Sequence, residues 1–109
     1  MGKFVKGEVV VFPFPFTDPS QTKVRPCLVV ANLTGPDMIL CSITKTPRPD
    51  SIPLRQSDFK SGGLPIDPSY IRPTRLFTAK DTRVLLSRGQ VTETKVSEVT
   101  SKIVEIVTR

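Results

Sequence analysis

The sequence of 109 residues contains no histidine, and this absence excludes several kinds of catalytic site. Ser-His-Asp and Cys-His triads need an imidazole base, and so do nucleases that use a pair of histidines. With two cysteines and scattered carboxylates as the remaining ligands, we expect no zinc site and no cofactor. Any catalysis must therefore use Arg, Lys, Thr, Ser, Tyr or a carboxylate.

Long apolar runs are also missing from the chain. No segment approaches the ~18 apolar residues that span a bilayer, and the sequence does not open with a signal-peptide pattern. We therefore expect a cytoplasmic protein with no membrane partner. In that compartment Cys27 and Cys41 should be reduced, buried residues that pack as small hydrophobic side chains.

The charge of the chain is basic and unevenly distributed. Sixteen Lys and Arg residues stand against ten acidic ones, which gives a formal net charge of +6. Residues 41–90 alone hold nine basic and four acidic positions, so most of the excess lies in the middle of the chain. This balance favours a polyanion partner such as nucleic acid, although solubility alone also explains a basic surface. The length predicts a single domain over residues 1–109.

Eleven prolines argue against long helices over most of the chain, and short β-branched apolar segments predict strands instead. Pro13 and Pro15 are expected to end the first strand, because proline cannot donate to a ladder. The segment 58–68, with Gly62-Gly63, is expected to be a loop. The predicted strands are residues 6–12, 26–31, 38–44, 51–54, 70–78 and 83–86.

The C-terminal segment has a different pattern. Residues 92–107 contain neither Pro nor Gly, and Thr92 can act as N-cap with Glu93 favourable in the first turn. Apolar residues follow helical spacing at Val96, Val99, Ile103, Ile106 and Val107. The chain is therefore predicted to be mainly β within the α+β class, a small antiparallel barrel or curled sheet closed by a C-terminal helix.

The turn around Thr34-Gly35 allows a register to be predicted for the second and third strands. Residue numbers of paired positions should sum to about 69, which places Arg25 opposite Thr44, Cys27 opposite Ser42 and Val29 opposite Leu40. That face is expected to be the polar one, and the opposite face, with residues such as Leu28, to be the core.

Arg25 is the first residue to suspect if the chain is an enzyme. Its guanidinium can direct two hydrogen bonds to a phosphate, and the start of a strand would hold it in place. A surface arginine that pairs with Asp18 is the simpler alternative. Phe12, Phe14 and Phe16 share one parity and suit either the core or a dimer interface better than base stacking.

Four segments of the sequence resemble the MazF/PemK/Kid toxins, and together they cover essentially the whole chain. These segments are Lys6-Gly7-Glu8-Val9-Val10, Gln21-x-x-x-Arg25-Pro26, Ser42-Ile43-Thr44, and Tyr70-Ile71-Arg72-Pro73 through Leu76-Phe77-Thr78. The resemblance implies an SH3-like barrel and the toxin of a type II toxin–antitoxin system. It also implies a homodimer that a cognate antitoxin neutralises.

The activity that the resemblance implies is a ribosome-independent, metal-independent endoribonuclease acting on single-stranded mRNA. Its catalytic pair maps onto Arg25 and Thr44, and its substrate-contacting glutamine maps onto Gln21. The ribose 2′-OH would attack the adjacent phosphorus and leave 2′,3′-cyclic phosphate and 5′-OH ends. Arg25 would stabilise the phosphorane, since a guanidinium is effectively always protonated and makes a poor general base. Nothing in the sequence identifies the base.

Further basic residues are candidates for RNA contact. Lys23 and Lys45 flank the predicted pair, and Arg75 lies with Arg72 on a later strand, where both suit an RNA groove or a solvated face equally. Many family members carry Gln-Ile-Arg-Thr in that strand, whereas this chain has Phe77 in place of the arginine. No cleavage sequence is therefore transferred.

Two other functions fit the same fold. A gyrase-poisoning toxin such as CcdB binds protein and cuts nothing, and it has no need of a phosphate-binding pair. A catalytically silent module that binds RNA or protein is the second alternative.

Overall fold

The computed structural model describes residues 3–15 and 22–109, and these residues form one sheet and one helix. The sheet is entirely antiparallel, with the strand order β4-β6-β3-β2-β1-β7-β5. Its strands are β1 (Glu8–Pro15), β2 (Thr22–Asn32), β3 (Asp37–Thr44), β4 (Ile52–Leu54), β5 (Phe59–Gly62), β6 (Ser69–Lys80) and β7 (Leu86–Val91). The helix α1 (Glu93–Val107) follows the last strand. The predicted antiparallel sheet with a C-terminal helix is confirmed.

The two edge strands, β4 and β5, are neighbours in sequence, and this forces the sheet to curl. Seven strands spaced about 4.8 Å apart would separate the edges of a flat sheet by about 29 Å. The chain from Leu54 to Phe59 spans at most about 18 Å when fully extended. A 3-10 turn at Gln56–Asp58 occupies this short connection. The edges must therefore approach each other, which gives the half-barrel shape.

The expectation that prolines end the first strand is wrong. β1 continues through Pro13 to Pro15, with Pro13 opposite Val24 and Pro15 opposite Thr22. The pairing of β1 with β7 stops at Val11, so among the described residues β1 has a partner on one side only beyond that point. Proline is tolerated there because its missing N–H can face the side without a ladder. The same pairing lengthens β2, so Arg25 lies within the strand and not at its start.

Two further predictions for the middle of the chain need correction. Part of the expected loop 58–68 forms the edge strand β5, which pairs with β7. The strand predicted at residues 83–86 lies further along the chain, since a 3-10 turn occupies Asp81–Arg83 and β7 runs from Leu86 to Val91. β7 is largely polar and exposed, and its extended structure comes from its pairing with β1 and β5.

The helix is confirmed with its predicted cap. The Lys95 backbone N–H donates to the Thr92 side chain at 3.3 Å, and the Thr92 N–H donates to the Asp58 carbonyl at 2.9 Å. Val99 is buried against the sheet, as the spacing predicts. Val107 was expected on the same face, but it is 71% exposed because it lies at the end of the last turn.

Both faces of the sheet carry apolar clusters. The helix side holds residues such as Leu28, Cys41 and Ile43, whereas the opposite side holds Cys27, Val29, Leu40 and the ring of Phe12 beside Phe77. The face predicted to be polar is thus polar only at its open end. Phe12 lies in the core, the side chain of Phe14 is not described, and Phe16 lies outside the described residues.

Cys27 and Cys41 are buried free thiols, as predicted. Burial is the main cause that raises the pKa of each thiol to about 12. Both therefore remain protonated at neutral pH and act as small apolar side chains.

Candidate functional site

β2 and β3 pair with each other along the middle of the strands and separate at one end. The predicted partners Cys27–Ser42 and Val29–Leu40 are confirmed, but the ladder does not continue to Arg25 and Thr44. Arg25 instead pairs with Phe12 on β1, and Thr44 pairs with Tyr70 on β6. Because this end of β2 stays paired with β1 and this end of β3 stays paired with β6, a groove opens between the ends of β2 and β3.

The groove has a volume of about 720 Å³, and both Arg25 and Thr44 line it. Its basic side chains come from three separated parts of the chain, and its floor and walls are mostly apolar. None of the described residues that line it is Asp or Glu. The basic residues are Lys23, Arg25, Lys45, Arg48 and Arg88, and the apolar ones include Val11, Val24, Pro26, Ile43, Leu64, Pro65 and Ile66.

A loop that lines the groove is held by hydrogen bonds to β7 and β6. The Gly63 N–H donates to the Arg88 carbonyl at 2.9 Å, and the Ser69 hydroxyl donates to the Ile66 carbonyl at 2.7 Å. Gly62 and Gly89 make this contact possible, since a Cβ on Gly62 would lie 2.0 Å from the Arg88 carbonyl oxygen. The loop therefore places Ile66 in the lining of the same groove as Arg25 and Arg88.

Thr44 is oriented by its own chain. The Thr46 N–H donates to the Thr44 Oγ1 at 3.4 Å, which leaves the hydroxyl hydrogen available to an acceptor in the groove. Beside it, Lys45 and Arg48 extend the basic lining beyond the end of β3.

The structure brings together four of the six residues that the sequence marked as candidates. Arg25, Thr44, Lys23 and Lys45 line the one groove. Arg75 is exposed on β6 and does not line it. Gln21 lies outside the described residues, as does Asp18, so the suggested ion pair between Asp18 and Arg25 stays untested.

Sequence reasoning missed Arg48, Arg88 and the apolar loop around Ile66. For the two arginines the only signal in the sequence was the basic excess of residues 41–90, which does not distinguish one arginine from another. Arg88 becomes part of the groove through the pairing of β7 with β1 and β5, and no local pattern reports that pairing.

Ion pairs among the described residues lie away from the groove, on and around the helix. They join Lys60 to Glu93, Lys95 to Asp58 and Glu98, Lys102 to Asp50 and Glu105, and Arg109 to Asp50 and Glu105. Five of the described acidic residues are thus paired on the helix side, and none of the described residues that line the groove is acidic, so its basic lining favours polyanions.

Two kinds of site are absent from the described residues. No group of three or more His, Cys, Asp or Glu side chains within them is placed to hold a metal ion. None of the helices in this part of the chain has the length and apolar character to cross a membrane.

Comparison with known proteins agrees with this architecture. An endoribonuclease in complex with its cognate antitoxin, from a mycobacterial species, superimposes with a TM-score of 0.72 at 16% identity, over 98% of this chain and 95% of that chain. A second mycobacterial endoribonuclease gives a TM-score of 0.73 at 18% identity, over 98% of this chain and 93% of that chain. No curated protein matches the sequence significantly. The family model of the PemK-like, MazF-like toxins of type II toxin–antitoxin systems matches residues 5–107, and the chain therefore belongs to this family.

Proposed function

We propose that this toxin is an endoribonuclease that cleaves single-stranded mRNA without a metal ion and leaves 2′,3′-cyclic phosphate and 5′-OH ends. One observation carries the proposal: Arg25 and Thr44 line the same groove, which has five basic side chains and no described acidic one. The two mycobacterial proteins with this fold, which are endoribonucleases, support it. We assign RNA contacts to Lys23 and Lys45 in the groove, and to Gln21 and Arg75 beyond it.

The reaction joins the ribose 2′ oxygen to the adjacent phosphorus and breaks the bond from phosphorus to the 5′ oxygen. The 2′-OH loses a proton, and the departing 5′ oxygen gains one. Negative charge grows on the two non-bridging oxygens as the phosphorane forms, and the fixed donors of Arg25 stabilise it there. The hydroxyl of Thr44 donates to a phosphate oxygen and orients the group for in-line attack.

Basic side chains around this pair bind the backbone phosphates on either side. Such contacts are independent of base sequence and position the strand in the groove. The apolar loop with Leu64 and Ile66 offers a surface against which an unstacked base can pack. A groove of this kind favours single strands, because their bases and backbone are reachable together.

The proposal includes two protein partners. One of the related mycobacterial structures contains a cognate antitoxin, and we propose that a cognate antitoxin also neutralises this toxin. We further propose a homodimer as the active form and the cytoplasm, where mRNA is translated, as its site of action.

The test incubates the purified protein with a long, weakly structured RNA in the presence of EDTA. We expect discrete cuts whose downstream fragments carry 5′-OH ends, and no cut where the nucleotide at the cleavage site is 2′-deoxy. Arg25→Ala is expected to lower kcat by roughly 10²–10³, the usual loss for one preorganised donor. Lys80→Ala is the matched control, since Lys80 is an exposed cation at the far end of β6.

Two results would contradict the proposal. Intact RNA after incubation with folded wild-type protein would overturn the metal-independent nuclease and favour gyrase poisoning or silent binding. Equal cleavage rates for Arg25→Ala and Lys80→Ala would show that Arg25 is not the stabilising residue.

A further inference from the structure

The loop of residues 45–51 carries Arg48 into the groove. It begins after Thr44, which pairs with Tyr70 of β6, and it ends before Ile52, which pairs with the next residue of the same strand. The loop therefore connects β3 to β4 across β6, which lies between them in the sheet. The sheet fixes the two ends of the loop, but the backbone between them has many conformations unless other contacts restrict it.

A tight turn within the loop sets the point where Arg48 leaves the backbone. The Ser51 N–H donates to the Arg48 carbonyl at 3.0 Å, and the Arg48 N–H donates to the Ser51 Oγ at 3.1 Å. Pro49 and Asp50 occupy the two central positions, and Asp50 has a φ of 65°. Proline followed by a positive φ is the pattern of a type II turn, in which glycine is the unstrained choice for the third residue. The carboxylate is what Asp50 supplies at this position and glycine does not.

The Asp50 carboxylate binds two cations on and just after α1. Arg109 donates to both carboxylate oxygens, at 2.8 and 3.3 Å, and the Lys102 Nζ lies 3.4 Å from Oδ1. The hydrogen bond from Arg109 is the largest cause that lowers the pKa of Asp50, so the carboxyl group is ionised at neutral pH. Within the described residues, the hydrogen bonds and ion pairs that join the loop to a part of the fold distant in sequence all come from Asp50.

We propose that Asp50 is a positioning residue for RNA binding: its ion pairs with Arg109 and Lys102 hold the loop so that Arg48 already lies in the groove when the strand arrives. This inference rests on the proposed RNA cleavage and adds to it a residue that is not among those lining the groove. Preorganisation raises affinity because the RNA does not have to order the loop as it binds. The two-pronged contact suits this role, since a guanidinium and a carboxylate fix each other's orientation.

A contribution to the stability of the fold is the simpler explanation of the same contacts. Asp50 and Arg109 are, however, 24% and 53% exposed, and an exposed ion pair contributes little to stability. The positioning role therefore predicts a larger effect of Asp50 on RNA binding than on unfolding.

The test uses the sign of the charge that is removed. Asp50→Asn and Glu105→Gln each remove one negative charge and keep the shape of the side chain, and asparagine tolerates a positive φ. Glu105 contacts the same two cations, Lys102 and Arg109, but it lies on α1 and not on the loop. Because the loss of a negative charge favours RNA, electrostatics alone predicts slightly tighter binding for both variants. Weaker binding by Asp50→Asn alone would therefore have a cause other than net charge.

The probe is a short mixed-sequence 2′-O-methyl RNA, which lacks the attacking hydroxyl, so that binding is measured without cleavage. Asp50→Asn should bind it about threefold more weakly, within the usual cost of immobilising one long side chain on binding. Arg48→Met, which removes the contact itself, should bind about tenfold more weakly. Glu105→Gln should bind at least as tightly as the wild type. Thermal unfolding of each variant checks that it is folded.

A double-mutant cycle shows whether Asp50 acts through Arg48. In the Arg48→Met background, Asp50→Asn should no longer weaken binding, since the loop then has no guanidinium to position. A loss that persists in that background would overturn the proposal. Arg109→Gln breaks the same contact from the other side and keeps the proposal testable if Asp50→Asn does not fold. It should weaken binding more than Lys60→Gln, which removes a paired cation elsewhere, and equal effects of these two variants would count against the positioning role.

Cleavage of ordinary RNA gives a second readout. Asp50→Asn should raise KM and leave kcat nearly unchanged, because the contact through Arg48 is made equally in the ground state and the transition state. Arg25→Ala should instead lower kcat. A fall in kcat for Asp50→Asn at unchanged KM would connect Asp50 to the reacting centre and overturn the proposal.

The outcomes distinguish failure of the positioning role from failure of the proposed function. If wild-type protein binds and cuts RNA, and Asp50→Asn binds it as tightly as Glu105→Gln does, the positioning role is overturned and the nuclease stands. Absence of RNA binding by wild-type protein overturns both.

Discussion

Replacing Lys95 with methionine tests what holds the curled sheet closed. Lys95 lies on α1, and its side chain is 9% exposed. Its Nζ donates to the Pro53 carbonyl on β4 at 3.0 Å and to Glu98 at 2.8 Å, and it lies 3.5 Å from Asp58 in the turn between the edge strands. This one cation thus joins the helix to both sides of the closure.

The expected loss of stability depends on how well each partner of Lys95 is solvated once the lysine is replaced. Removing a hydrogen bond to a charged group costs about 1.5–3 kcal/mol, and the Pro53 carbonyl loses its buried partner. The carboxylates of Asp58 and Glu98 are 26% and 51% exposed, so water can solvate them and limit the loss. Methionine fills most of the space that the lysine stem occupies. We therefore expect Lys95→Met to lower the free energy of unfolding by about 2 kcal/mol, or Tm by roughly 10 °C.

Urea unfolding followed by circular dichroism measures this loss, and Lys102→Met provides the matched control. Lys102 is also on α1 and also pairs with two carboxylates, Asp50 and Glu105, but its side chain is 30% exposed. Exposed pairs contribute little, so its loss should be about 0.5 kcal/mol. Equal losses for the two variants would refute the reasoning that burial of Lys95 closes the sheet.

Two further predictions concern buried thiols and a close approach of strands. Burial raises the pKa of Cys27 and Cys41 to about 12, so iodoacetamide at mildly alkaline pH should leave both thiols unmodified in the folded protein and alkylate both in urea. Mass spectrometry detects the adducts, and an adduct on the native protein would contradict this prediction. A Cβ on Gly89 would lie 2.1 Å from the Ser61 carbonyl oxygen, whereas one on Gly35 would meet nothing within 4 Å. Since both glycines have positive φ, Gly35→Ala should cost only backbone strain of about 1 kcal/mol and Gly89→Ala clearly more, and similar urea midpoints would count against the close approach.

The parts of the fold that could be predicted from the sequence are those that neighbours in the chain determine. The short turn around Gly35 limits the hairpin to a narrow range of registers, so Cys27 and Ser42 were placed opposite each other correctly, although a bulge between Val29 and Ala31 shifts the pairing by one residue on the way. Helical spacing and the Thr92 cap likewise lie within one segment. The strand β5 was missed because Lys60, Ser61 and Gly62 carry no apolar alternation, and its edge position lets three of its four residues stay exposed.

The groove itself shows why the site was only partly predictable. Arg25 and Thr44 belong to the two strands of one hairpin, so a short-range register was enough to bring them to the same end of the sheet. Arg88 reaches the groove only because β7 pairs with β1, which lies far from it in sequence. The β3–β6 ladder also changes register opposite residues 72–75 of β6. The position of this irregularity depends on both strands, so neither strand's sequence predicts it alone. A local pattern can therefore locate the pair proposed to react, whereas the arginines that would bind the rest of the strand depend on contacts that form only when the sheet curls.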